Sequence, residues 1–354
     1  MASYRERLTR DLDGWIAGGL VPAESRETIL DSVGEARRLD AATALAVIGG
    51  LLAGIAVIAF VAANWSGIPR IARFAMILAA FLATAGAAAW AAGRERPVAS
   101  QVLLCVAAMV FAAAIGLTGQ IFDIAGSPQA ALGGAGLGAG LLALAAGSPW
   151  TAAVSLVFLA AGDIAAGRVF DNAPSWPGWT AYAAPLGAWL ALRWSSQPLA
   201  HVAAPAVGIG AVSVAMLLPT MPEAVPWLFT VFFILLAAGA RWLWQRSQAP
   251  AGILYGWWAW GAMLAFAAVG SGRLLTGAGH SIACLALSAG VVALGRHDRH
   301  RGVTALGVLA LIASAARLLF DLGVGLLTSA AIFGASALVA LVVSAVMQRR
   351  RRAA

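Results

Sequence analysis

From residue 41 to residue 346 the chain is a succession of apolar runs, each about 18 to 23 residues long, separated by short polar or Pro/Gly connections. A run of that length crosses hydrocarbon as a helix, at about 1.5 Å per residue through a layer about 30 Å thick. The runs parse as spans at 41–63, 71–92, 98–118, 129–146, 150–167, 177–193, 201–218, 225–243, 250–269, 277–294, 302–320 and 324–346. The expected fold class is therefore all-α, a polytopic transmembrane helical bundle of about 12 spans. The least separated runs are the fourth and fifth, joined by Gly147-Ser148-Pro149, and the last two, joined at Asp321 to Gly323.

Composition agrees with that reading and removes the main alternative. The 354 residues are 61% hydrophobic and 11% charged, too little charge to cover the surface of a soluble protein of this size. The formal charge of +8 comes from 23 basic residues, all Arg, spread among the connections and not gathered on one face, which argues against nucleic-acid binding. Cys105 and Cys284 both fall inside apolar runs and read as small buried thiols. The first forty residues lack the apolar core of a secretory signal, so the first span is expected to serve as its own insertion signal.

Three segments follow. Residues 1–40 hold eight of the fifteen acids and six Arg, with Leu8, Leu12, Trp15 and Ile16 at helical spacing. Gly18-Gly19 breaks that helix and Pro22 starts another carrying Ile29, Leu30 and Val33, which predicts a short soluble helical hairpin. Its core is too small to stand alone, so it should dock on the membrane body, self-associate or bind a protein partner. Residues 41–348 form the transmembrane domain, and 349–354 an Arg-rich tail. With the N-terminus inside, 18 Arg fall on inside segments and five (Arg70, Arg73, Arg168, Arg273, Arg317) fall outside or within spans. That bias predicts an even number of crossings with both termini cytoplasmic. Trp65, Trp90, Trp150, Trp176, Trp194, Trp227, Trp242 and Trp244 lie near span ends, where indoles anchor at the bilayer interface. Pairs such as Gly134/Gly138 and Gly136/Gly140 permit close helix approach, although so Gly- and Ala-rich a chain produces them by chance. The nearest internal match, Phe122-Asp123-Ile124 against Phe320-Asp321-Leu322, is too short to establish a duplication.

Leu12-Asp13-Gly14-Trp15 with Gly19-Leu20, then Phe60-Val61-Ala62-Ala63-Asn64-Trp65 with Ile68-Pro69-Arg70, then Gly119-Gln120-Ile121-Phe122, together resemble the DUF2157 family of bacterial predicted membrane proteins. The resemblance covers about the first 150 residues. It implies a multi-pass protein of the bacterial inner membrane with a short soluble N-terminus. The family has no assigned activity, so none is carried over.

The polar groups that bear chemistry are few. Asn64, Arg70, Gln120 and Asp123 lie on two turns that the threading puts outside, where they are expected to converge as a ligand-binding group. A carboxylate facing a guanidinium suits a zwitterionic or phosphate-bearing ligand; the competing reading is that these groups cap helices and fix packing. Arg317 and Asp321 stand four apart as a structural polar pair, and the cost of an Arg in a span predicts that Arg317 meets a partner on another helix. Asp163, near a span end, reads as hydrated. His297, Asp298 and His300 sit in an Arg-rich loop that repels a cation, so they read as a solvated basic loop facing anionic lipid and no metal site is expected. No catalytic motif or cofactor fingerprint is present. The leading functional expectation is small-solute or lipid-group binding or transport through the outside polar turns. The alternatives are a membrane scaffold or sensor acting through the N-terminal hairpin, and an intramembrane transferase on lipid-linked substrates.

Overall fold

The computed structural model describes residues 4–32, 67–167, 176–217, 224–269 and 277–325, together with positions 328, 331, 334, 335 and 338. Residues 1–69 and 70–354 form two compact units. In the first, α1 (Tyr4–Ala17) ends at Gly18-Gly19, where Gly19 takes φ +72°, and α2 (Ser25–Ser32) follows. The second helix thus begins three residues beyond Pro22. Arg26 Nε donates to Asp13 Oδ1 at 2.9 Å, tying α2 to α1, and this bond raises the Arg26 pKa. Leu12 and Leu30 are buried.

The second unit is helical throughout its described residues: α3 (Arg70–Gly93), α4 (Pro97–Ile121), α5 (Pro128–Ala146), α6 (Pro149–Ala165), α7 (Thr180–Arg193), α8 (Gln197–Ala215), α9 (Val225–Gln245), α10 (Ala249–Val269), α11 (Ala278–His297) and α12 (Arg301–Asp321). Each coincides with one expected span; the expected spans at 41–63 and 324–346 lie outside the described residues apart from a few single positions. Among the described residues, eight helices are long and apolar enough to cross a membrane. The two others are α6, apolar but 17 residues long, and α7, which starts at Thr180 and has 14 residues, about 21 Å of helix. Large apolar side chains such as Leu82, Leu141, Leu235 and Leu264 stand exposed around the unit, as a lipid-facing surface requires. The interior is largely Ala, which lets backbones approach.

Helices pair in sequence as five hairpins, α3–α4, α5–α6, α7–α8, α9–α10 and α11–α12, and every one is closed by the same turn. A left-handed residue, Glu95, Gly147, Ser195, Ser247 or Arg299 (φ between 51° and 70°), is followed by the residue that opens the next helix, extended at Ser148, Ser196 and His300. The N–H of that next residue reaches the carbonyl five positions back: Arg96 to Ala91, Ser148 to Ala143, Ser196 to Ala191, Gln248 to Leu243, His300 to Gly295. This is the Schellman closure of a helix C-terminus. Pro97, Pro149, Pro198 and Pro250 stand in the first turn of the following helix, where a missing N–H costs nothing. Ser148, Ser196 and His300 add side-chain caps, to the N–H groups of Thr151, Leu199 and Val303.

The left-handed residues sit at 95, 147, 195, 247 and 299, so successive turns are 52, 48, 52 and 52 residues apart. The second unit is therefore a tandem array of helical hairpins. Its internal contacts respect that order: α4, α6, α8, α10 and α12 form a continuous row, each touching the next, and the hairpins meet their sequence neighbours. The repeat lies in backbone geometry. The apparent match of Phe122-Asp123-Ile124 with Phe320-Asp321-Leu322 is out of register, because Asp123 is itself the left-handed residue after α4 whereas Gly323 holds that place after α12.

The spaced glycines have a packing role that chance spacing did not suggest. A Cβ on Gly136 or Gly140 would meet Leu159 or Ser155 of α6, and on Gly134 or Gly138 would meet Ile115 or Phe111 of α4. One stripe of α5 thus serves each neighbour, and Ser155 Oγ donates to the Gly136 carbonyl at 2.7 Å across the closer interface.

Candidate functional site

Arg70 opens α3 and Asp123 closes the turn after α4, and their side chains meet: Arg70 Nη2 donates to Asp123 Oδ2 at 2.8 Å. Both remain largely exposed, at 63% and 73%. The turn holding Asp123 is built by the Ile124 N–H to Gly119 carbonyl bond at 2.9 Å, which forces Asp123 to φ +54°. Glycine takes that conformation without penalty, whereas an L side chain pays about 1 kcal/mol or more. Asp tolerates that region better than most side chains, so the turn can present a carboxylate there. Phe122 fixes the turn from the other side, edge-on to Phe74 of α3 at 5.9 Å between ring centroids.

Beneath this ion pair lies a cavity of about 1100 Å³ between α3, α4 and α5. Phe74, Ile77, Leu78, Phe81, Phe111 and Ile115 line its apolar length, and Gln120, Asp123 and Ser127 line its end. The structure thus brings Arg70, Asp123 and Gln120 to one mouth. Asn64, the fourth expected member, lies outside the described residues.

The other expected polar groups take different places. Asp163 is 4% exposed, not hydrated, and its Oδ2 accepts the Thr180 N–H at 2.7 Å. It caps the N-terminus of α7 from α6, where a negative group also meets the positive end of the helix dipole. Gly178, at φ +86°, packs flush on that carboxylate, and a Cβ there would overlap it. Sequence spacing could not show a cap supplied from the far side of a loop.

The Arg317–Asp321 contact is present at 3.1 Å, with the roles reversed from expectation. Arg317 is 65% exposed, and Asp321, at 9%, is the member that reaches another helix, accepting from Ser281 Oγ of α11 at 2.5 Å. The neighbouring His280 is buried, its Nε2 lies 3.3 Å from Cys284 Sγ, and its Nδ1 has no hydrogen-bond partner.

The loop from Arg296 to Arg301 is not simply a solvated basic segment. Asp298 is 2% exposed and receives two bonds of 2.6 Å from Arg241 Nε and Nη2, and one of 3.1 Å from the Tyr255 hydroxyl. His300 Nδ1 accepts the Val303 N–H, so its Nε2 carries the proton and donates to the Gly252 carbonyl at 2.8 Å. The hairpin α11–α12 is thereby bolted to α9–α10. The Arg241 bonds hold the Asp298 carboxyl below its ordinary pKa, against the opposing effect of its burial. The sequence offers one hint, that Arg241 closes the inner end of an apolar run, but it names no partner. Among the described residues no group of three or more His, Cys, Asp or Glu is arranged to hold a metal ion.

Residues 13–152 match the DUF2157 family, whose description is "predicted membrane protein". That match takes in the Arg70–Asp123 mouth and the first two hairpin turns, at 95 and 147. No curated protein and no solved structure matches the chain.

Proposed function

We propose that this multi-pass membrane protein binds an amphiphile in the cleft between α3, α4 and α5, with the polar head at Arg70 and Asp123 and the apolar part along the Phe-lined cavity. The single observation that carries the reading is the combination at one place: a cavity of about 1100 Å³, apolar along its length, ending at an exposed carboxylate held beside a guanidinium. Binding clefts are mostly apolar with a few convergent polar groups that fix orientation. A zwitterionic head, with a phosphate toward Arg70 and an amine toward Asp123, satisfies both charges without leaving either unpaired. In this reading the mouth faces outward and the tight hairpin turns face the cytoplasm. The turn ends carry Arg94, Arg96, Arg193, Arg241, Arg246, Arg296, Arg299 and Arg301, the asymmetry expected of inside segments.

Asp123→Gly is the sharpest test. It relieves the backbone strain while removing the carboxylate, and an exposed ion pair contributes only about 0–1 kcal/mol, so thermal stability should change by less than about 1 kcal/mol. Binding of lysophosphatidylethanolamine to the purified protein, followed by calorimetry, should weaken at least about tenfold. Arg70→Gln should weaken it comparably, and the double variant should lose less than the sum of the two. Strictly additive losses, or unchanged binding in Asp123→Gly, would refute the site.

A further inference from the structure

We infer a second lipid site, at the opposite end of the helices, in the crevice between the hairpins α9–α10 and α11–α12, and assign it an anionic phospholipid. The crevice encloses about 310 Å³ lined by Ile234, Ala238, Ala262, Met263 and Leu287, with Arg241 and Tyr255 at its end. Arg241 presents five N–H donors, and Asp298 occupies two of them. The side chain is still 30% exposed, whereas Asp298 is sealed at 2%, so the face that remains accessible is the cationic one.

The two turns flanking this end add Arg246, Arg296, Arg299 and Arg301, and among the described residues there the only acid is Asp298. Arg246 is held in place, its guanidinium 3.8 Å from the centre of the Trp242 ring. An apolar slot ending at a guanidinium and rimmed by further guanidinium groups matches an acyl chain joined to a negative phosphate. Basic pockets between transmembrane helices take acidic headgroups for this reason. A zwitterionic lipid would place its own cation among the arginines, so the site selects net negative charge. This site is independent of the Arg70–Asp123 cleft: it is formed by other helices at the other end of the hairpins.

Native mass spectrometry of the full-length protein in detergent, offered equal amounts of phosphatidylglycerol and phosphatidylcholine, tests it. Phosphatidylglycerol should be retained at least about tenfold over phosphatidylcholine. Ala262→Phe fills the slot and leaves Arg241, Asp298 and Tyr255 untouched; Ala238→Leu narrows it from α9 should the larger change impair folding. Either should abolish the preference, and Arg70→Gln should leave it intact. Equal retention of the two lipids overturns the inference. So does a preference that survives both slot-filling variants and disappears in Arg246→Gln/Arg299→Gln, which marks loose surface attraction. Stabilisation by inorganic phosphate equal to that by phosphatidylglycerol likewise overturns it, because the acyl chain would then contribute nothing.

Discussion

Asp298→Ala is expected to destabilise the folded protein by about 3 kcal/mol, near the lower bound for breaking a buried ion pair. The size follows from what is left behind. Arg241 loses two bonds of 2.6 Å, Tyr255 loses its acceptor, and the one carboxylate that joins α9, α10 and the α11–α12 turn disappears. The partial exposure of Arg241 lets its charge find water, which keeps the loss from reaching the full cost of an isolated buried ion. Replacing both partners, as Arg241→Met with Asp298→Ala, should recover much of that loss, since a packed apolar pair removes the desolvation cost together with the attraction. Denaturation in mixed micelles of the single and double variants measures the coupling, and purely additive effects would show that the clamp does not act as a unit. The pH dependence has a definite sign. The folded Asp298 carboxyl lies below the ordinary carboxylate value of 3.8, so its contribution is complete above that value and is lost as pH falls through the folded pKa. Wild-type protein should therefore lose more stability than Arg241→Met/Asp298→Ala when the buffer is taken below about pH 4.

Gly178→Ala should cost about as much, for a different reason. Alanine at φ +86° is strained by about 1 to 2 kcal/mol, and its methyl group would displace the Asp163 carboxylate from the Thr180 N–H. Loss of an N-cap adds about 1 kcal/mol, and a buried carboxylate without its donor adds more. The combined expectation is about 3 kcal/mol, read as a lowered midpoint in the same denaturation assay. Because the damage acts through Asp163, adding Gly178→Ala to an Asp163→Ala background should cost only the backbone strain. An undiminished effect in that background would mean that the glycine acts through some other contact.

The parts that were legible in the sequence are those written in hydropathy. Ten of the expected spans coincide with helices because about twenty apolar residues in lipid have one local solution, and Gly147-Ser148-Pro149 announced its turn by carrying a left-handed residue, a cap and a first-turn proline in order. The convergence of Arg70, Gln120 and Asp123 was legible because two turns at the same end of adjacent helices have little room to separate. The hairpin repeat was not legible, because Glu95, Gly147, Ser195, Ser247 and Arg299 share a backbone conformation and no common side chain. Nor was the Arg241–Asp298 clamp, whose members are 57 residues apart, with the acid set between basic neighbours that suggested hydration. The role of Asp163 was hidden for a different reason: its partner is a backbone N–H, which every sequence contains.

The recurring hairpin also bears on how such a chain could lengthen or shorten. A unit of about 52 residues that crosses and returns can be gained or lost without reversing the sidedness of anything downstream, and its removal lets the flanking units meet through surfaces of the kind they already use. Chains of this design should accordingly differ in length by steps of one hairpin, with the order of the remaining helices unchanged.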